Sequence, residues 1–557
     1  MPRKLRSNFE PGTTRWAVRR AQWVALGIPP EDFEKPKIAI INTSSDLSIC
    51  FSHLDGVISH LKDGVRQAGG LPFEIRTTAP SDFIHAASKG ARYILPSRDL
   101  IANDIEVSVE GPLLDGMICL ASCDKTTPGQ LMAAARLNIP TIFVICGYQD
   151  HGEFEGRKVD IEEVFESVGK VATKEITLEQ LTGMADASIQ SPGVCPGMGT
   201  ANSMHIVCEA LGMCLPGHAP VRANSHRMID HATRAAGRVV EMVEEDLRPR
   251  DIMTAAAFRN ATRAVLASSC SVNTVRHLQA VADEAELDIN MYELVEELGP
   301  KVPLLVAVRP NGDTRVEELE ASGGALGIMA ELAKELDEAV TVSGRALSDV
   351  LTSFKRPKHS VIKPTSEPLS RQPALVTLYG NLAPEGALMK LGTGGGNKMQ
   401  FSGPAKIFHS QEDAIAAIGK GEIVKGDVAV LRYLGPRGGP GLAFASWFVA
   451  ALNGAGLGDD VAVVTDGQLS GLNRGIAINQ VAPEAFERGP LALLEEGDVI
   501  EIDVAARRLS MVVDDESLER RLEGLPEWRP AKERGWLSVF QRLAKPIHKG
   551  AALTPED

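Results

Sequence analysis

Short apolar runs alternate with loops and helical patterns through the first part of this chain, and that alternation leaves few folds open. The runs are residues 37–42 (KIAIIN), 73–78, 116–121 and 141–146 (TIFVIC). The first, third and fourth are short, mostly apolar and bounded by turn residues, as buried strands are; 73–78 resembles a strand but carries Glu74 and Arg76. Helical patterns at 54–69, 100–111 and 129–137 fill the gaps. Strands alternating with helices predict a parallel sheet covered by helices. In such sheets ligands gather where strands run out into loops at their carboxyl ends.

The rest of the chain divides in two. An arm over 1–35 carries one helix near 16–26. Residues 161–181 read as a helix with one polar face, and 201–211 as another. Residues 225–350 are helix-rich, with strands expected at 303–308 and 339–343. Pro357, Pro364, Pro368 and Pro373 then mark a linker over 355–373, which places domains at 1–365 and 374–557. The second has short strand patterns at 374–379, 427–433, 461–465, 498–503 and 508–513, separated by Gly turns. The expected class is α/β: a large N-terminal α/β domain with a helix-covered parallel sheet, and a smaller C-terminal β-rich, barrel-like domain.

Bulk properties exclude several function classes. The 557 residues carry 58 basic and 73 acidic side chains, a net charge of -15. A general nucleic-acid binder would need a basic face instead. The first twenty residues (about one helix) are basic and polar without an apolar core, unlike a secretory signal. No apolar run reaches the roughly 18 residues that span a membrane. A cytoplasmic protein that binds a small molecule, with neither nucleic acid nor membrane as partner, is the expectation.

All eight cysteines lie in the first half of the chain. Without an export signal a disulfide framework is not expected. Cys119, Cys146, Cys208 and Cys214 sit in apolar runs and read as small core hydrophobes. Cys50, Cys123 and Cys195 sit instead in loops rich in Gly, Pro, Ser or Asp, and two of these loops directly follow predicted strands. They are too widely spaced for a local zinc knuckle, and taken singly each is as readily a buried thiol as a ligand. Together they suggest one iron–sulfur cluster with an iron left short of a protein thiolate, a Lewis acid rather than an electron carrier.

Other residues carry chemistry by type and place. Cys123-Asp124-Lys125 puts a soft ligand beside a hard one, so two metals of different kinds are conceivable side by side. Pro128 fits the first turn of the following helix, whose N-terminus favours an anion. Asp124 as a cap and Lys125 as a solvated side chain is the plain alternative. Asp82 follows the second strand and reads as a second carboxylate ligand or as a turn residue. Ser470, in Thr465-Asp466-Gly467-Gln468-Leu469-Ser470-Gly471, has no His-containing triad pattern nearby and is no Gly-x-Ser-x-Gly elbow. As a base it would need its hydroxyl pKa lowered by a metal; otherwise it is a turn serine. Residues 391–398 lack phosphate-loop spacing and read as a lid. Residues 435–441 let backbone approach a ligand closely, with Arg437 a candidate for a substrate carboxylate.

In order, these motifs resemble the dihydroxy-acid and sugar-acid dehydratase family (IlvD/Edd type). The resemblance runs through Asn42…Cys50-x2-His53-Leu54, Leu95-Pro96-Ser97-Arg98, Cys123-Asp124-Lys125-x2-Pro128-Gly129, residues 197–204 and 206–216, and Ser271-Val272-Asn273. It continues through Gly380-Asn381-Leu382-Ala383-Pro384, residues 435–441, the Ser470 motif and Ala482-Pro483-Glu484-Ala485. It implies that Cys50, Cys123 and Cys195 hold a [2Fe-2S] cluster, or [4Fe-4S] as in the phosphogluconate branch. It implies Asp82, Asp124 and a carbamylated Lys125 as Mg²⁺ ligands, Ser470 as the base, and Thr127 and Arg437 in the substrate pocket. The implied reaction converts a 2,3-dihydroxy carboxylate, a sugar acid or a branched-chain acid, to a 2-keto-3-deoxy acid. The implied assembly is a homodimer or homotetramer.

The departures from the family pattern cluster by function. Most members have a Mg²⁺-binding Glu where this chain has Leu434. Ser44, Ile49, Cys146-Gly147-Tyr148-Gln149, Cys270 and Gln480 also differ. The iron side is kept and the magnesium side is altered. The consequence is an unusual substrate, Mg²⁺ held with more water, or a non-catalytic cluster protein that acts in binding or sensing.

Overall fold

The computed structural model describes residues 4–85, 88–172, 174–392, 399–469, 475–530 and 532–553. The four strands of the N-terminal sheet are β1 (Lys37–Asn42), β2 (Leu71–Arg76), β3 (Gly116–Ala121) and β4 (Thr141–Ile145). All pair in parallel, in the order β2-β1-β3-β4. β1, β3 and β4 are buried along their whole length, as expected of strands covered on both faces. The chain moves outward from β1 to β2, then back across to β3. The switch point therefore lies between the carboxyl ends of β1 and β3, where ligands bind in such sheets.

Helices make the cover. Helix Leu54–Gln67 buries Leu54, Val57, Ile58, Leu61 and Val65 on one face, the spacing of an amphipathic helix. Helix Thr126–Leu137 follows β3 and lies against helix Ile94–Glu110. A Cβ at Gly129 would collide with the Arg98 carbonyl, so this glycine permits the close crossing. A short hairpin of β5 (Gly152–Phe154) and β6 (Arg157–Val159) follows the sheet.

The second half closes a barrel of eight strands: β7 (Leu375–Gly380), β8 (Ala383–Lys390), β9 (Gln400–Phe408), β10 (Val428–Leu431), β11 (Ala462–Thr465), β12 (Ala477–Asn479), β13 (Val499–Asp503) and β14 (Arg508–Met511). Its order is β10-β11-β12-β8-β7-β14-β13-β9. The stretch β9-β10-β11-β12 is parallel, so the loops after β10 and β11 leave the barrel side by side. The chain end then returns to the first half. Arg98 donates to the Gly550 and Ala551 carbonyls at 2.9 Å each, and Trp536 Nε1 to Pro96 at 2.9 Å.

The α/β class and the barrel agree with expectation; several details do not. Residues 303–308 and 339–343 form no strands, only isolated bridges. Leu304, Leu305, Val306, Val308 and Val342 are buried while Val340 is exposed, and the apolar signal arose without a continuous ladder partner. The helix expected over 161–181 is two, Ile161–Ala172 and Leu178–Ala187, the second opened by a Thr177–Gln180 capping box. β8 and β9 escaped the pattern reading because each contains Pro and Gly. The 391–398 lid falls on residues 393–398, outside the described residues. Among the described residues, no helix is long and apolar enough to cross a membrane.

Candidate active site

The loop after β1 carries Cys50, and the loop after β3 carries Cys123. The two strands are neighbours, so both cysteines reach the switch point. Their thiols are in hydrogen-bonding contact. The proton is unequally shared: the bond from Cys123 draws the Cys50 thiol down to about 7. The same bond, then burial, raises Cys123. Cys50 Sγ also lies 3.9 Å from Ser81 Oγ.

Cys195 arrives by a different route. The loop after β4 clamps Val194 in two directions, Gln149 N–H to the Val194 carbonyl at 2.8 Å and Val194 N–H to the Gly147 carbonyl at 2.9 Å. Gly193 N–H donates to the Ile49 carbonyl at 3.1 Å, one residue before Cys50. Asn202 Nδ2 donates to the carbonyls of Cys195 and Gly197, both at 2.9 Å. The Cys195 residue is only partly buried, yet its thiol is raised by burial, then by Glu162, Asp124 and Cys50. The Gly193–Ile49 contact brings its loop to the Cys50 loop, and the charges of Asp124 and Cys50 reach its thiol.

The carboxylates stand beside the thiols. Asp82, beyond β2, and Asp124, beyond β3, hydrogen-bond to each other, and Asp124 is raised to about 8 by burial, then by Asp82. Lys125 is fully buried, its Nζ 3.0 Å from Asp82 Oδ2 and 3.9 Å from Asp124 Oδ2. Asp82 Oδ1 and Thr127 Oγ1 are buried without a hydrogen-bond partner. Behind them, Thr43 Oγ1 and Ser122 Oγ lie 3.0 Å apart, and His205 Nε2 lies 2.8 Å from the Ser122 carbonyl. These contacts fix the loops after β1 and β3 to helix Thr200–Ala210.

The residues present fit both groups that the family pattern implies. Three thiols gathered at one sheet end, two in contact, are the donor set of an iron–sulfur cluster. Paired carboxylates with an unsatisfied buried oxygen suit a hard cation. Lys125 as an ammonium cannot ligate one; a carbamate on Nζ would reverse its sign. Among the described residues no three His, Cys, Asp or Glu side chains close on a single point. A cluster, which spreads its ligands over several atoms, makes no such demand.

The barrel side is only partly described. Ser470 lies outside the described residues; its neighbours Gln468 and Leu469 are fully buried. Leu434 is buried in an apolar cluster that includes Ala445, Phe448 and Leu469. A Cβ at Gly467 would strike Leu434 Cβ, so Leu434 sits against the turn that leads to Ser470. The Gly-rich loop after Leu434 is held from below. Asp466 accepts from Tyr433, Leu434 and Ala485 N–H at 3.0, 2.9 and 2.9 Å. Glu484 accepts from Arg437 and Gly438 N–H at 3.1 and 2.9 Å. A Cβ at Gly435 would collide with the Glu484 carboxylate. These two acids were visible in sequence as motif members without a role. The Arg437 guanidinium is engaged by Glu487 at 2.8 Å and the Ala544 carbonyl at 2.8 Å; none of these contacts involves the cysteine or carboxylate group. Of the departing residues, Gln480 is fully buried, its Nε2 donating to Asn479 at 3.0 Å.

Comparison with known proteins identifies the family. Residues 35–350 match the family model described as dihydroxy-acid/6-phosphogluconate dehydratase, N-terminal, and residues 360–551 match its C-terminal counterpart. The chain is 40% identical over 542 residues to a dihydroxy-acid dehydratase of Moorella thermoacetica, covering 96% of this chain and 98% of that protein. Dihydroxy-acid dehydratases of Caldicellulosiruptor saccharolyticus and Pyrococcus abyssi are 38% and 40% identical over 541 and 540 residues, again across 96% of this chain and 98% and 97% of theirs. With both halves matched in order and nearly the whole length aligned, the chain belongs to the dihydroxy-acid/6-phosphogluconate dehydratase family, and its reaction class is that of a hydro-lyase.

Proposed function

We propose that this protein removes water from a 2,3-dihydroxy carboxylate, a sugar acid or a branched-chain dihydroxy acid, to give a 2-keto-3-deoxy acid. The observation that carries the reading is the meeting of Cys50, Cys123 and Cys195 with Asp82, Asp124 and Lys125 around one end of the parallel sheet. Cys50, Cys123 and Cys195 would hold the cluster, [2Fe-2S] or [4Fe-4S]; Asp82, Asp124 and a carbamylated Lys125 would hold Mg²⁺. When bound, the two groups supply Lewis acidity toward the substrate's hydroxyl and carboxylate oxygens.

The side chains then have distinct tasks. Ser470, as its alkoxide, takes the proton from C2. The C2–H electron pair becomes the C2=C3 bond as the C3–O bond breaks, and the C3 hydroxyl leaves as water by taking up one proton, which balances the one removed from C2. The enol becomes a ketone at C2 by gaining a proton at C3 and losing its O–H proton. Thr127 Oγ1 is free to hydrogen-bond substrate. Leu434 supplies no charge, so the barrel side of the pocket is less anionic than a carboxylate at that position would make it.

The test is 2-keto acid formation by anaerobically prepared protein offered 2,3-dihydroxy-isovalerate and a panel of aldonates with Mg²⁺. Product from at least one acid is expected. An intact cluster with no product from any of them would overturn the reading.

A further inference from the structure

Arg276 has no role in the chemistry above, yet it is an open, fully buried cation beside the site. It lies in the first turn of helix Asn273–Glu284. Its Nη1 donates to Asn273 Oδ1 at 2.7 Å and its Nη2 to Gln468 Oε1 at 2.5 Å. Its Nε has no acceptor, and Nε2 of Gln468, also fully buried, has none either. Covalent connectivity keeps these two unused donors on either side of one hydrogen bond. Among the described residues no carboxylate forms an ion pair with Arg276.

A second buried arginine shows that the fold can satisfy such a group. Arg98, equally buried, pairs with Asp99 at 3.0 Å and donates to two carbonyls. An unpaired buried cation with spare donors is destabilising, and a planar guanidinium fork is suited to a carboxylate. The position fits a substrate site. Gln468 stands two residues before Ser470. Asn273 Nδ2 donates to Thr200 Oγ1 at 3.1 Å, in the helix that follows the Cys195 loop. Asp82 and Asp124 are the acids whose field reaches Arg276. The guanidinium thus lies between the cysteine side and the barrel residue Gln468.

We propose that Arg276, oriented by Gln468 and Asn273, binds the carboxylate of the substrate and sets the enzyme's selectivity for an acid. The identity of that acid as a hydroxy acid rests on the dehydratase reading; the place of its anionic end rests on the open donors. With Leu434 contributing no metal ligand, a fixed protein cation takes part of the load of holding the anion.

Calorimetric titration of the anaerobic holoprotein with 2-hydroxyisovalerate and 3-deoxygluconate tests this. Both lack the C3 hydroxyl that would leave, so binding is read without turnover. The corresponding neutral amides serve as controls. Wild type is expected to bind at least one acid and to discriminate against its amide. Arg276→Met is expected to weaken the acid about 10–100-fold, the range of a charge-assisted hydrogen-bonded pair, and to leave the amide unchanged; Arg276→Lys should retain part of the preference. Visible absorbance and thermal midpoint check that each variant is folded and loaded. Equal acid affinity in wild type and Arg276→Met, no binding of either acid to wild type, or an unchanged acid-to-amide ratio would overturn the proposal. If wild type binds an acid through Arg276 but forms no keto acid from any dihydroxy acid, the dehydratase reading fails and this assignment stands. If it turns over and Arg276→Met keeps its KM, the reverse holds.

Discussion

The Nζ of Lys125 lies 3.0 Å from Oδ2 of Asp82, with both residues at strand ends of one sheet and the lysine wholly buried. The contact bridges the loops after β2 and β3, which are not adjacent strands. It also holds a cation against two acids that would otherwise repel each other. Removing one partner of a buried pair strands the other's charge. Lys125→Met is therefore expected to lower stability by about 3–5 kcal/mol in metal-free buffer. Adding Asp82→Asn should recover much of that loss, because the two changes share one interaction. Urea unfolding of the single and double variants measures the coupling; additive effects would contradict it.

The three loop cysteines should differ from the core cysteines in what they hold. Serine at Cys50, Cys123 or Cys195 is expected to cost most of the iron, the acid-labile sulfide and the visible absorbance of anaerobically prepared protein. Cys214→Ala, in the apolar core, should keep all three. Metal analysis and absorption spectra decide it, and full iron content in Cys195→Ser would remove that residue from the ligand set.

Leu434→Glu buries a carboxylate in an apolar cluster, which costs stability unless a cation pairs with it. A ligand that binds only the native state raises its midpoint by mass action. The thermal midpoint of the variant should fall without Mg²⁺ and rise on adding Mg²⁺ by more than the wild type's does. Equal increments for the two proteins would show that position 434 does not face the cation.

Glu484 is raised to about 8 by burial, then by the charge of Asp466; Asp466 is raised to about 6 chiefly by burial. A carboxyl whose folded-state pKa exceeds its unfolded value favours the protonated native state. Its contribution is complete below the unfolded value, near 4.5, and is lost as pH rises toward about 8. The urea midpoint should therefore decline between about pH 5 and 8. Glu484→Gln should flatten that decline; a profile identical to wild type would argue against it.

Arg98→Ala removes the buried partner of Asp99 and the donors to the Gly550 and Ala551 carbonyls. A loss of about 3–5 kcal/mol is expected, and limited proteolysis should then release the C-terminal segment first.

Much of the N-terminal half was legible because its signals are local. The stretch Ile38–Ile41 and most of TIFVIC are apolar without alternation, since strands buried on both faces need none, and turn residues mark their ends. The barrel was less legible. β9 contains Gly403 and Pro404, and β8 contains Pro384 and Gly386, so composition argued against strands that the closed ladder nonetheless stabilises. The runs at 303–308 and 339–343 misled in the opposite sense: most of their Val and Leu side chains are buried, but their backbones meet a different partner at each bridge.

The sequence by itself determined the chemistry available to this protein. It supplied soft thiols, hard carboxylates and a glycine-rich serine loop in the order of a dehydratase, and it substituted an apolar Leu434 for an acid. Residue type fixes what an atom can ligate or donate, and order along the chain is enough to identify the family. Tertiary structure alone decided which groups meet. Cys50 and Cys123 touch because β1 and β3 are neighbours across a switch in strand order. Arg437 is drawn away to Glu487 and Ala544. Arg276, silent in a helical run, becomes an open buried cation because the barrel brings Gln468 to it. Such outcomes depend on long-range packing and on which buried polar atoms find partners, and neither is encoded in any local stretch of chain.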